Sequence, residues 1–232
     1  MSDLGYLSLM AVLFVLQHLG VTSSGLRKGL VGMIGEKAYI GVYSLVSILL
    51  LVLLVRAYNA TVPTELFWPT FDWLRVIPLV VMPFALFLII GGIVIRNPTT
   101  VGVVLDEAEE VPVTGVMRVS RHPVQSAILL WALSHLLVNG DAASLLFFGS
   151  IGLVSGYGML LIDRRKREVF GPRWESFRNA TSVVPFAAIL SGRQSFKISE
   201  IGWLTPLLTL IAFVGLWWGH YWVSGVPVGL VW

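Results

Sequence analysis

Along the chain, apolar residues gather into six long runs separated by polar stretches, and the runs predict six membrane-spanning helices. The first extends from about Leu4 to Val21 and the second from Ala38 to Tyr58. The third, Val76 to Ile95, contains Pro78, Pro83 and the pair Gly91 and Gly92, which a membrane helix tolerates where its neighbours satisfy the freed backbone groups. The fourth begins at Pro123, a residue suited to a first helical turn, and ends near Val138; the fifth is Ala142 to Ile162 and the sixth Leu204 to Val223. Each approaches the ~20 residues that cross the hydrocarbon core of a bilayer. The first run has no basic segment ahead of it and is too long and too polar at its far end to read as a cleaved signal sequence. The expected fold is all-α: a polytopic membrane helix bundle of about six spans, forming a single domain over residues 1–232 with no internal repeat.

Charge orients this bundle. If the spans alternate, fourteen of the sixteen Lys and Arg residues fall on one side, eight of them between Arg164 and Lys197, leaving only Arg56 and Arg75 on the other. Such segregation marks the cytoplasmic side, so both termini are expected to be non-cytoplasmic. The expected partners are the bilayer and a hydrophobic small molecule; no nucleic-acid partner is expected, and the oligomeric state stays open. The chain has no cysteine, which excludes disulfides, thiolate catalysis, iron–sulfur clusters and cysteine-ligated zinc.

The stretch DRRKREVFGPRWESFRNATSVVPFAAIL, from Asp163, admits two readings. Val169, Phe170, Trp174 and Phe177 interleave with arginine, as in an amphipathic helix lying on an anionic leaflet. Alternatively, its Asp and Arg residues, Asp163 and Arg164 among them, hold a cofactor's anionic groups, such as porphyrin propionates. Asp106, Glu107, Glu109 and Glu110 are further acidic partners for this cationic stretch.

The chemistry-bearing residues concentrate in RHPVQSAILLWALSHLL, Arg121 to Leu137. Ionisable side chains within spans are costly and mark functional sites by default. Arg121 and His122 sit at the inner mouth of the fourth span, where they read as a polar, anion-binding corner at a helix start. His135 lies within the same span, Trp131 one turn before it on the same face. His18 lies in the first span, and His220 near the end of the sixth among Trp217, Trp218, Tyr221 and Trp222, as in an interfacial aromatic belt. His122 and His135, thirteen residues apart, are turned by roughly 220° and separated by ~20 Å on a straight helix, so they cannot share one small site. His18 and His135 come from different helices and differ in depth by roughly 10 Å. Two such histidines, without cysteine and with carboxylates only outside the spans, suit the two faces of a haem better than a compact zinc site.

The blocks HLGVTSSGLRKGLVGMIGEKAYIGVYSLVS, NPTTVGV, GVMRVSRHPVQSAILLWALSHLLVNGD, LIDRRKR and TSVVPFAAILSGR, in this order, resemble the NnrU family of bacterial membrane proteins. That family includes a haem b enzyme of plastids and cyanobacteria that isomerises a cis double bond of a polyene to trans. The resemblance implies haem b with His18 and His135 as axial ligands, His122 as important for activity without being a ligand, and the bacterial inner (cytoplasmic) membrane as location; Arg121 and His122, as the polar corner, are the expected catalytic pair. It also implies a link to denitrification and nitric oxide metabolism. Where the isomerase carries a cysteine, this chain has Ala132, and Leu19 replaces a serine after the first ligand. RHP, Asp163 and the Val-Pro-Phe block are also similar to membrane methyltransferases that use S-adenosylmethionine. That likeness would place His122 and Asp163 in a cofactor pocket, although Ile162 and Gln125 depart from its pattern.

Overall fold

The computed structural model describes residues 2–21, 25–62, 66–100, 111–226 and 228; Asp106, Glu107, Glu109 and Glu110 lie outside the described residues. Among these the chain is helical, without a strand beyond one isolated bridge between Leu66 and Asp141. Among the described residues, five stretches are long and apolar enough to cross a membrane: Asp3–Val21, Glu36–Ala60, Asp72–Val94, Ala142–Phe170 and Leu204–Ser224. The fourth expected span is a separate apolar helix, Pro123–Val138. Its 16 residues rise about 24 Å, short of a ~30 Å hydrocarbon core. Proline fixes its start, and Asn139, whose side chain donates to His135 O at 2.8 Å, ends it.

Helix α1 (Asp3–Val15) is capped by the Ser2 hydroxyl, which accepts from Gly5 N, and passes directly into a π-helical turn, Leu16–Val21. A short helix that hydropathy had left in a loop follows, α2 (Gly25–Ile34). Its Leu26, Leu30, Met33 and Ile34 recur at helical spacing and are exposed. Gly35 then adopts φ +80°, a left-handed conformation that suits glycine, and turns the chain into α3 (Glu36–Ala60). Arg27 and Glu36 pair across that turn at 2.6 Å. The remaining helices are α4 (Val76–Val94), α5 (Pro123–Val138), α6 (Ala142–Phe170), α7 (Pro172–Ala180), α8 (Ala187–Leu190) and α9 (Leu204–Ser224). Exposed apolar side chains line α3 (Leu45, Ile48, Leu49) and α9 (Leu210, Ile211, Val214), a surface matched to hydrocarbon rather than water.

The chain forms two compact units. The first comprises Met1–Leu74 and Ala132–Leu161; in it α1 packs along α3, and Leu7, Met10, Phe14 and Leu54 are buried. Phe67 N donates to Gly140 O at 2.8 Å, and a Cβ on Gly140 would stand 2.6 Å from Trp68 O. The second comprises Arg75–Trp131 and Ile162–Trp232. There α4 packs on α9 and on the 3-10 turn Gly115–Arg118, with Ala85, Leu88, Val116, Val119 and Ala127 as core. Trp174 and Phe177 join Val111 and Met117 in a further core. They are fully buried, which corrects their reading as a leaflet-facing stripe: the break at Gly171, φ +55°, starts a new helix that packs into the protein.

The glycine pair of α4 permits this packing. A Cβ on Gly91 would lie 2.4 Å from Val116 Cγ1, and one on Gly92 2.8 Å from Pro123 Cγ. The α4 backbone therefore sits directly against the turn and the first residue of α5.

Candidate functional site

The segment Val119–His122 is stitched to the turn Ser182–Phe186, which explains why the RHP and Val-Pro-Phe blocks occur together. Phe186 N donates to Val119 O and Arg121 N to Ser182 O, both at 2.9 Å. The Ser120 hydroxyl donates to Val183 O at 3.0 Å and accepts from His122 N at 3.3 Å. With the Ser120 proton committed, the Ser126 hydroxyl 2.9 Å away is the donor between the two serines. Phe186 holds a left-handed φ of +65°, which disfavours a side chain by roughly 1–2 kcal/mol; its ring stacks on Phe84 with centroids 5.4 Å apart.

This backbone aims Arg121 and His122 at one carboxylate, that of Asp163 on α6. Arg121 donates from Nε at 3.0 Å and from Nη2 at 2.6 Å to Oδ2, while His122 Nε2 lies 2.8 Å from Oδ1. Arg178 Nε adds positive charge 3.7 Å from Oδ2. His122 is fully buried, and the Arg121 and Asp163 side chains are only 9% and 10% exposed. The anion at the predicted anion-binding corner is thus a residue of the chain itself. Burial holds His122 below the ordinary histidine value of 6.5, against the opposing pull of the Asp163 hydrogen bond. A neutral ring must donate from Nε2 to the carboxylate, which leaves the lone pair on Nδ1. That atom is buried and has no hydrogen-bond partner among the described residues. Chemically, the arrangement is a proton acceptor backed by a carboxylate that would stabilise its charged form.

Arg164 does not join this corner. Its side chain is 80% exposed and 3.8 Å from Glu168, one turn on. A neighbouring clamp was not legible: Arg118 donates to both Glu200 oxygens, at 2.7 and 2.8 Å, and Gly115 N donates to the same carboxylate at 3.0 Å. These hydrogen bonds hold Glu200 down at about 2 from 4.5.

His18 and His135 both belong to the first unit. His18 sits within the π-helical turn, a local widening of the helix frequent at functional sites. Its Nδ1 donates to Phe14 O at 2.9 Å, so in the neutral ring Nε2 carries the lone pair. The ring lies 4.3 Å from that of Phe14 and 6.0 Å from that of Tyr43. His135 is half-buried, its ring 5.2 Å from Phe148 and its Nδ1 3.4 Å from Ser134 Oγ. Trp131 is half-buried on α5. His220 Nδ1 lies 2.8 Å from Val226 O beyond the end of α9. A ligating imidazole has one ring nitrogen oriented by a second group such as a carbonyl; His18 Nδ1 is oriented in this way by Phe14 O, and imidazole is a donor type that haem iron accepts.

A second polar cluster lies in the same unit as these histidines. Asp141 accepts from Ser144 N at 3.1 Å and from the Ser144 hydroxyl at 2.7 Å, and Tyr58 Oη lies 3.0 Å from Ser144 Oγ. The spacing D-x-x-S ahead of an apolar run is a helix-capping signal, the one trace of this cluster in the sequence.

Comparisons with known proteins bear on this geometry. A family model described as "NnrU protein" matches residues 6–228. A relative from Arabidopsis thaliana, described as "15-cis-zeta-carotene isomerase, chloroplastic", is 36% identical over 126 residues, covering 51% of this chain and 33% of the relative. A Zea mays relative of the same description is 40% identical over 83 residues, 35% of this chain and 22% of the relative. The matched segments thus span a third or less of those relatives' length. No solved structure gives a significant match.

Proposed function

This chain belongs to the NnrU family, and from that membership we propose that it is a multi-pass membrane isomerase. Its substrate is a polyene, carotenoid-like lipid, in which it turns a cis double bond to trans, with haem b held by His18 and His135. The observation that carries this reading is the setting of His18: a π-helical turn, an Nδ1–H anchored on Phe14 O, and aromatic rings beside the imidazole. The description of both relatives as 15-cis-zeta-carotene isomerases supports the substrate class. When bound, haem would supply an iron able to draw electron density from a double bond and lower its rotation barrier. The chain's own residues do the rest. Phe14 and Tyr43 keep water from the His18 ring, Phe148 holds the His135 ring on one face, and apolar outer surfaces admit a lipid from the bilayer. His122 and Asp163 hold a proton at His122 Nε2 in a separate corner. The cationic residues face the cytoplasmic side of a bacterial inner membrane.

The test is an absorption spectrum of the detergent-purified full chain, expressed with ample haem, before and after dithionite. A Soret band that sharpens on reduction is expected, lost or shifted in His18→Ala and His135→Ala and retained in His122→Ala. Incubation of the reduced protein with a cis-carotene, followed by chromatography, then reads the reaction. A colourless protein, or equal loss from all three variants, overturns the ligand assignment. One observation favours a second reading, the S-adenosylmethionine-dependent methyltransferase: Arg121, His122 and Asp163 converge in a buried corner with His122 Nδ1 unpartnered among the described residues. A rise in melting temperature with S-adenosylmethionine, abolished in His122→Ala, would move the function there.

A further inference from the structure

We infer that Tyr58 is a positioning residue for His135, acting through Phe148, and that Ser144 and Asp141 hold Tyr58 for this task. The inference rests on His135 being a haem ligand. Its argument runs outward from the carboxylate. Asp141 is 7% exposed and Ser144 1%, and the bridge to Leu66 fixes the Asp141 backbone. The Ser144 hydroxyl gives its one proton to Asp141 Oδ2. Its oxygen must therefore accept at 3.0 Å from the Tyr58 hydroxyl. That bond ties down the far end of the Tyr58 ring.

The rings carry the constraint onward. Tyr58 lies parallel to Phe147, centroids 4.5 Å apart and planes 13° apart, and edge-on to Phe148 at 5.8 Å. Phe147 also meets Phe148 edge-on, at 5.0 Å and 80°. Ser144, Phe147 and Phe148 follow at i, i+3 and i+4 on α6, so they share a face, and Tyr58 meets that face from α3. Phe148 is thus wedged between two rings, and the His135 ring is laid on it at 5.2 Å and 28°.

A phenylalanine at position 58 would fill the same space. The hydroxyl adds only direction, at the risk of a buried polar group in an apolar setting, which is costly unless every member is satisfied. Here each donor has its acceptor. The rotation of an imidazole ligand is set by groups behind it, and those groups tune the metal as much as the ligand does. The chain Asp141, Ser144, Tyr58, Phe148 is such a backing for His135.

The experiment uses the detergent-purified full chain reconstituted with haemin, read by electron paramagnetic resonance of the ferric form, midpoint potential, haem content and melting temperature. Tyr58→Phe and Ser144→Ala are expected to keep haem content and melting temperature near those of the parent and to shift the low-spin signal in the same direction. Combining them should shift it no further, because both cut one chain. Should Asp141→Asn fail to fold, those two variants still decide. An unchanged signal and potential in Tyr58→Phe, while His135→Ala loses the low-spin form, overturns the positioning role and leaves the ligand reading intact. Persistence of the parent signal in His135→Ala, or no uptake of haemin by the parent, overturns both. An equal shift from Leu88→Ala, a fully buried α4 position of the second unit, would reduce the effect to general loosening and also overturn it.

Discussion

Removing the Asp163 carboxylate is the most direct test of the corner ahead of α5. Asp163→Ala would leave the Arg121 guanidinium, 9% exposed, without the oxygens that take its Nε and Nη2, and the fully buried His122 without an acceptor for Nε2. Breaking a buried ion pair from one side costs about 3–5 kcal/mol, because the surviving charge is stranded. The orphaned His122 donor overlaps with that figure rather than adding to it, since both effects arise from one deleted group. Glu175 is no substitute, being engaged by Arg178 and Arg167. Asp163→Asn keeps one carbonyl oxygen and should lose about half as much. The double variant Arg121→Leu/Asp163→Ala removes both charges, and apolar replacement of a buried pair is often near neutral. It should therefore be more stable than Asp163→Ala alone, with a coupling of about 2 kcal/mol. Equilibrium unfolding in mixed non-ionic and dodecyl sulfate micelles, followed by circular dichroism, measures the parent, these three variants and Arg121→Leu alone, which closes the cycle. The reasoning fails if Asp163→Ala lies within about 0.5 kcal/mol of the parent, or if the two substitutions simply add.

Gly91→Ala would drive a methyl to 2.4 Å from Val116 Cγ1 in the α4 core. It should destabilise by about 1–3 kcal/mol, with partial recovery when Val116→Ala is added in the same unfolding assay; a neutral Gly91→Ala would show that the close approach is not real. The Arg118 clamp sets a pH dependence. Because Glu200 is lowered from 4.5 to about 2 in the fold, its contribution is complete above pH 4.5 and is lost as pH falls toward 2. The melting-temperature gap between the parent and Glu200→Gln should therefore shrink from pH 6 to pH 3, and a gap that is constant or widens contradicts the sign.

Hydropathy made the long helices legible because a bilayer imposes length and apolarity on every span. The same reading found Pro123–Val138, which is apolar but shorter than the other long helices, and it passed over α2, whose three glycines, Arg27 and Lys28 resemble a loop. At the site, the pairing of Arg121 with His122 at a helix start was readable from RHP alone. Their partner was read as a cofactor contact, because nothing local tells that a carboxylate 42 residues away turns inward to Arg121. Arg164, the next residue along, looked equivalent and is exposed, since a helix turns about 100° between neighbours. Trp174 and Phe177 were read by periodicity, which finds an apolar face but not what covers it. Tyr58 was invisible as chemistry: a tyrosine at the end of an apolar run looks like an interfacial anchor until Ser144 is seen beside its hydroxyl.

The stitching of the corner also fixes an order of assembly during synthesis. Arg121 leaves the ribosome before any of its partners exist: Asp163 follows 42 residues later, Val183 follows Ser120 by 63, and Glu200 follows Arg118 by 82. At ~5–20 residues per second the last of these arrives roughly 4–16 s after its arginine. Arg121 is uncompensated until Asp163 is made near the end of α6, and Arg118 remains so until Glu200 follows. Insertion of α5 and completion of the corner are therefore separate events, and a chain truncated before Ser182 would hold α5 with its entry open.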